Sequence, residues 1–331
     1  MSNRKPPVTK HYTELVKTFP SMKGKTVMIT GSTSGMGLIL AETCGSLGAR
    51  VVMLNRASER AEKALKSLTG KGIDASLVAC DLLDFASVRA AGATLRAEFG
   101  DSGCDVLCNN AGIMGTPDRA TVDGFDEQMQ ANHLSHFLLT HEIWPLLEKA
   151  AGLRGEARVV NHSSGARNRP SRPLMAKYLE PNGGNLGGDG FPGFDKWVRY
   201  QQSKLANLMF TYALDEHAKQ RDGNRVKILC AHPGPADSGL QSKTTRAGGD
   251  RWLDRYILWS TLKIAQSVED GTCGIARCSC APGVESGSFY GPDPKTRIGP
   301  ALLLAPERNP DAEKLLWEKS MQATGLTDFF G

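Results

Sequence analysis

The stretch TVMITGSTSGMGLILAETCGSLG, residues 26–48, decides the fold. TVMIT is a short apolar, β-branched run of the kind that forms a buried strand. LILAETCGSLG carries helical spacing. Between them Gly31, Gly35 and Gly37 leave a GxxxGxG turn, which differs from the GxGxxG of the common dinucleotide fingerprint. The physics of the turn survives the change of spacing. Glycines allow a tight turn and close backbone approach, and the following helix offers unpaired N–H groups to a pyrophosphate. Ser32, Thr33 and Ser34 add hydroxyl donors. No Lys-Ser or Lys-Thr pair closes the loop, which disfavours a nucleoside-triphosphate P-loop.

The same strand-then-helix rhythm continues outward. RVVMLNR (50–56), ASLVACDL (75–82), CDVLCNNAG (104–112), ARVVNHSS (157–164), RVKILCAHPG (225–234) and the short GSFYGP (287–292) read as further strands. SERAEKALKSLTGKG, ASVRAAGATLRAEFG, GFDEQMQANHLSHFLLTHEIWPLLEKA and RYQQSKLANLMFTYALDEHAK read as helices between them. Strands alternating with helices predict an α/β fold, a doubly wound parallel sheet of about seven strands with helices on both faces. Near-continuous apolar strands fit burial on both sides. Residues 1–23 read as an N-terminal extension with a flexible start, and residues 24–331 as a single domain. Two stretches break the rhythm, at about 165–196 and 235–270, each after a strand end. Ligands bind beyond the carboxyl ends of strands in such sheets, so these long loops are the expected substrate walls.

Bulk properties narrow the function classes. A chain of 331 residues suits one sheet core. The net charge of +5 comes without a long basic run, so no nucleic-acid partner is expected. No apolar run approaches the length of about 18 residues that a membrane span needs. The N-terminus lacks an apolar signal core, which points to a cytoplasmic location and leaves organelle targeting open. The eight cysteines are scattered through apolar runs and read as reduced, buried thiols. Neither Cys104/Cys108 nor Cys278/Cys280 has zinc-site spacing, so no metal is expected.

The second strand ends in Asn55 and Arg56. A site selective for NAD usually carries an acidic residue there to take the ribose hydroxyl. A neutral side chain beside a cation suits a 2′-phosphate instead. NADP(H) is therefore the expected cofactor, with NAD(H) also admissible, and Arg60 and Lys63 stand nearby. Asp81 is placed to accept from an adenine amino group. Asn109, Asn110 and Gly112 end the fourth strand beside the cofactor path, where an Asn could equally hold the sheet edge.

RYQQSK, residues 199–204, puts Tyr200 and Lys204 on one helix face. Alone, that pair fits a packed tyrosine and a solvated lysine equally well. In company it does not. TGSTSGMG, Asp81, NNAG (109–112), Asn132 in MQANHLSHF, Ser164 in VVNHSS, YQQSK and HPGPADS (232–238) occur in one order across roughly residues 24–292. That ordered set resembles the short-chain dehydrogenase/reductase family. NHLSHFLLT, SKLANLMFTYAL and HPG are most similar to its retinol-dehydrogenase branch, with protochlorophyllide-reductase-like relatives.

The resemblance implies a Rossmann-like sheet and a catalytic tetrad of Asn132, Ser164, Tyr200 and Lys204. Tyr200 would exchange a proton with the substrate oxygen, and Ser164 would hold that oxygen. Lys204 would lower the tyrosine pKa and bind the nicotinamide ribose, while Asn132 would hold a relay water. The implied cofactor contacts are Gly31, Ser32, Thr33, Ser34, Gly35, Met36, Gly37, Asn55, Arg56, Asp81, Leu82, Asn110, Ala111, Gly112, Tyr200, Lys204, Pro233, Gly234 and Ser238. The implied activity is NADP(H)-dependent interconversion of a carbonyl and an alcohol on an apolar small molecule, in a chain that forms homodimers or homotetramers. The alternative is an NADPH-binding sensor or scaffold with little turnover. Residues 165–199 between Ser164 and Tyr200 are a departure from compact members.

Other residues take plainer readings. His133, His136 and His141 are assigned to a packed or solvated helix face, His162 to strand packing and His232 to a structural role. Trp252, Tyr256 and Trp259 form an apolar stripe that fits lid packing, an oligomer contact or a substrate wall. Arg167, Arg169 and Arg172 are read as a solvated loop in preference to a site for an acidic substrate.

Overall fold

The computed structural model describes residues 6–190, 193–221, 225–237, 259 and 261–331. Apolar runs order it. β1 (Thr26–Thr30), β2 (Arg50–Asn55), β4 (Val106–Asn109), β5 (Ala157–His162) and β6 (Val226–Ala231) are buried almost throughout, whereas the edge strand β3 (Ala75–Ala79) is half exposed. With β7 (Phe289–Gly291) and β8 (Leu302–Leu303) they form one sheet of order β3-β2-β1-β4-β5-β6-β7-β8. Pairing is parallel through β7, and β8 closes the edge antiparallel to it. The eighth strand exceeds the seven expected, because two exposed leucines carry no burial pattern to read. The order reverses between β1 and β4, so a crevice opens at their carboxyl ends.

Helices cover both faces. On one face lie α2 (Gly35–Ser46), α3 (Glu59–Gly70) and α8 (Val268–Cys280). On the other lie α4 (Phe85–Phe99), α6 (Ser135–Arg154), α7 (Asp195–Lys219) and α9 (Pro310–Thr324). A short α5 (Glu127–Met129) and a π-helical turn, Gln130–Leu134, lead into α6. Local chemistry sets the helix starts. Ser58 accepts from Ala61 N–H, Asp84 from Ala86 N–H and Asn309 from Ala312 N–H, each satisfying a donor the helix cannot. None of the described helices is long and apolar enough to cross a membrane.

The N-terminal segment is built into the domain from Thr9 onward. The Asp270 carboxylate at the start of α8 accepts backbone N–H groups from Lys10, His11 and Tyr12 at 2.9, 2.8 and 3.0 Å. Tyr12 opens α1 (Tyr12–Val16), and its hydroxyl reaches Thr43 Oγ1 at 2.6 Å. That docking holds the piece that follows the early prolines and basic residues, while residues 1–5 lie outside the described residues.

The insertion between β5 and α7 is pinned from α7, which is buried almost all round. Arg199 is fully buried and ion-paired with the equally buried Asp126 at 2.5 Å. It also donates to the carbonyls of Thr116 at 2.8 Å and Gly187 at 3.1 Å. Asp118 accepts from the backbone of Gly184 and Leu186 at 3.0 and 2.6 Å, tying the insertion to the loop after β4. Gln201 donates to the carbonyl of Arg167, and Gln202 pairs with Pro173 and Met175. Removing one member of a buried ion pair leaves an uncompensated charge. Arg199→Met is expected to lower stability to urea by about 3–5 kcal/mol, and adding Asp126→Leu in the same chain to recover a large part of that loss.

Candidate active site

The crevice at the switch point widens into a cleft of about 1850 Å³. The phosphate loop forms one wall. Gly31 has a φ of 69°, in the left-handed region, and a Cβ there would stand 2.8 Å from Ala111 Cα. A Cβ on Gly37 would fall on Asn110 Nδ2 and the Gly31 carbonyl. Both glycines therefore let α2 and the loop after β4 approach each other closely. Thr33, Ser34, Gly35 and Met36 line the cleft beside them.

One hydroxyl joins this loop to the rest of the site. Thr30 Oγ1 accepts the backbone N–H of Asn110 and of Ala111 at 3.0 and 2.9 Å. It also lies 2.9 Å from His136 Nε2, while His136 Nδ1 faces the Asn132 carbonyl at 3.0 Å. A carbonyl can only accept, so Nδ1 carries the proton and Thr30 donates to Nε2. Burial holds His136 neutral, down at about 4. Asn110 completes the clamp by donating to the Thr30 carbonyl at 2.8 Å and contacting His162 Nδ1 at 3.0 Å.

The cleft floor past β2 and β3 carries Asn55, Arg56, Arg60, Asp81 and Leu82. Arg56 is exposed and makes no ion pair among the described residues. Asp81 Oδ1 accepts Leu83 N–H at 3.0 Å, which fixes the turn after β3.

Tyr200, Lys204 and Ser164 meet at the far end. Burial pushes the Tyr200 phenol up to about 12, and a hydrogen bond with Ser164 opposes that shift. Ser164 Oγ accepts Ala166 N–H at 3.1 Å, which leaves its proton free to donate toward the cleft. Burial lowers Lys204 to about 8. Its Nζ donates to the His162 carbonyl at 2.9 Å, an acceptor shared with Asn207 at 3.0 Å. The sequence reading gives Lys204 the task of favouring phenolate, and the hydrogen bond from Ser164 acts in the same direction. Ser163 is turned away, donating to the Lys204 carbonyl at 2.7 Å. Ala111, Gly112, Pro233 and Gly234 complete the wall opposite.

Two expected site residues do not line the cleft. Ser32 is fully buried, and its hydroxyl accepts from Asn55 Nδ2 at 2.9 Å, so it braces β2 where a phosphate donor was expected. Asn132 spends its amide on protein. Oδ1 accepts Ile113 N–H at 2.8 Å, and Nδ2 donates to the Ile113 carbonyl at 2.9 Å and to Ser203 at 2.8 Å. It still lies close to the site, since Asn132 Oδ1 and Lys204 Nζ are each 3.2 Å from where a Cβ on Gly112 would stand. Ser238, Trp252 and Tyr256 lie outside the described residues. Trp259 is exposed.

Some residues of the site were assigned other roles from sequence. His162 and His232 line the cleft. Arg167 is buried against Glu307, at 3.0 and 2.5 Å, and lies over the Phe289 ring; it is no solvated loop residue. Arg199, Gln201 and Gln202, which flank the tyrosine in RYQQSK, are fully buried and each is matched to polar partners.

Comparison with known proteins gives the lineage of this geometry. A family described as short chain dehydrogenase matches residues 25–178. Retinol dehydrogenase 14 of Mus musculus is 32% identical, with 92% of this chain and 87% of the relative covered. The chain belongs to the short-chain dehydrogenase/reductase family. Within this family it falls in the retinol-dehydrogenase-like branch, where retinol dehydrogenase 11 of Homo sapiens is 31% identical over 92% of this chain and 87% of that protein. The crystal structure of an uncharacterized protein from Mycobacterium paratuberculosis superposes with a TM-score of 0.71 at 30% identity, covering 94% of this chain and 97% of the other.

As a short-chain dehydrogenase/reductase the chain is an oxidoreductase that acts on a CH–OH/C=O pair with a nicotinamide dinucleotide. The residues fit that cofactor, with a glycine cradle at one end of the cleft and a buried lysine at the other. Gly37→Ala forces a methyl onto Asn110 and the Gly31 carbonyl. The variant is expected to weaken dinucleotide binding by about tenfold or more, read by titration of reduced-cofactor fluorescence.

Proposed function

We propose that the chain is an NADP(H)-dependent carbonyl reductase or alcohol dehydrogenase for an apolar small molecule, with Tyr200 as its acid/base. The observation that carries this reading is the contact of Tyr200 with Ser164 in the cleft wall, with Lys204 buried beside it. The bound dinucleotide supplies or accepts the hydride. Everything else falls to the chain. Ser164 donates to the substrate oxygen and aligns it with the phenol. Tyr200 is protonated at neutral pH and gives its proton as alkoxide charge develops. In oxidation the phenol must first lose that proton, and the Ser164 hydrogen bond favours the anion.

Lys204 has one N–H committed to the His162 carbonyl, so two remain for the ribose hydroxyls of the cofactor. Asn132 acts as a positioning residue that sets the Ile113 backbone and, through Ser203, the turn of α7 that carries Tyr200. Ile113, Met114, Trp197, Ile264 and Leu304 line the substrate end and support an apolar ligand body. Arg56 and Arg60 support selection of a 2′-phosphate.

In an NADPH-coupled screen of retinoids, steroids, aliphatic aldehydes and quinones, Tyr200→Phe is expected to cut kcat for the best substrate by roughly a thousandfold or more. Its NADPH affinity should stay close to that of the wild type; unchanged turnover overturns the mechanism. Arg56→Ala is expected to weaken NADPH binding by about tenfold and to leave NADH binding unaltered. An equal effect on both cofactors removes the 2′-phosphate assignment.

A further inference from the structure

The substrate end of the cleft holds two arginines that the reading above leaves unused. Arg169 follows Ser164 by one turn of 3₁₀ helix, Gly165–Asn168, and Arg297 comes from the loop after β7. Both line the cleft. Arg297 is the only described non-glycine residue with positive φ, at 65°, and its carbonyl sits directly over the Cα of Gly234. Arg297 is thus held in a left-handed backbone conformation, with its carbonyl packed onto Gly234 in the cleft wall.

Neither guanidinium has a carboxylate partner among the described residues. The nearby acids are already committed. Glu307 takes Arg167 through two hydrogen bonds and also accepts from Asn168 at 3.1 Å. Asp293 turns Oδ1 back onto the N–H groups of Lys295 and Thr296, at 2.7 and 3.2 Å. Burial and then the charge of Arg169 lower Arg297 from its ordinary value, so the two cations are close enough to repel. Two like charges facing one cleft are relieved by an anion between them, and guanidinium groups match carboxylate geometry.

We propose that Arg169 and Arg297 form a subsite for a carboxylate carried by the substrate. The molecule turned over is then an amphiphile, with an apolar body, a carbonyl or alcohol at Tyr200 and an acidic terminus. This inference rests on the oxidoreductase reading of the cleft and narrows its substrate class.

The test compares kcat/KM for ω-oxododecanoic acid and its methyl ester with NADPH. Wild type is expected to prefer the acid by about tenfold. Arg169→Gln/Arg297→Gln should bring the ratio near unity, and Arg169→Lys/Arg297→Lys should keep part of the preference. A ratio near unity in wild type, or an unchanged ratio in the glutamine variant, overturns the subsite while leaving the oxidoreductase reading intact. If neither compound is turned over, calorimetry with dodecanoate and dodecanol decides. Tighter dodecanoate binding that is lost in the glutamine variant supports the subsite and faults the choice of reacting group; equal binding of the two overturns it.

Discussion

The buried ion pair between Arg199 and Asp126 is the constraint on which the site depends. A guanidinium with no solvent exposure must have every donor placed, and here the acceptors come from three separate segments: Asp126, the carbonyls of Thr116 and Pro117, and that of Gly187. Burial pushes the Asp126 carboxyl up, and Arg199 pulls it back. The pair adds little net stability of its own when desolvation is counted. What it fixes is register. Arg199 immediately precedes Tyr200, so the loop after β4, the insertion and the reacting tyrosine share one anchor.

A second network runs from the opposite end of the cleft. Thr30, at the last position of β1, gathers Asn110, Ala111 and His136 around one oxygen. His136 passes the connection to the backbone of Asn132, whose side chain continues to Ser203 and so to α7. Phosphate loop and tyrosine are therefore joined through buried hydrogen bonds with no solvent-exposed step. Asn132 sits in a π-helical turn, a local irregularity that re-aims side chains at functional sites.

Sheet and glycine loop were legible because their signals are local. Five of the strands are apolar runs buried on both faces, and the turn glycines stand together in the chain. Tyr200, Ser164 and Lys204 were legible as an ordered set. The misread residues are those whose partners are remote. Arg167 looks solvated in a Gly- and Pro-rich stretch until Glu307, 140 positions later, is seen against it. Ser32 has the chemistry of a phosphate donor, and only the pairing of β1 with β2 shows that Asn55 claims its hydroxyl. Leu302 and Leu303 form a strand because β7 offers an edge, not because two exposed leucines demand one.

The latch of residues 10–12 on Asp270 bears on how the chain is made. Donors and acceptor are about 260 positions apart, and such distant contacts form late because loop closure must precede them. During synthesis β1 to β6 and their helices emerge before Asp270 exists. Until then Tyr12, buried in the finished domain, has no α8 to complete its cover. Residues 10–12, translated ahead of every strand of the sheet, are thus among the last parts of this fold to settle.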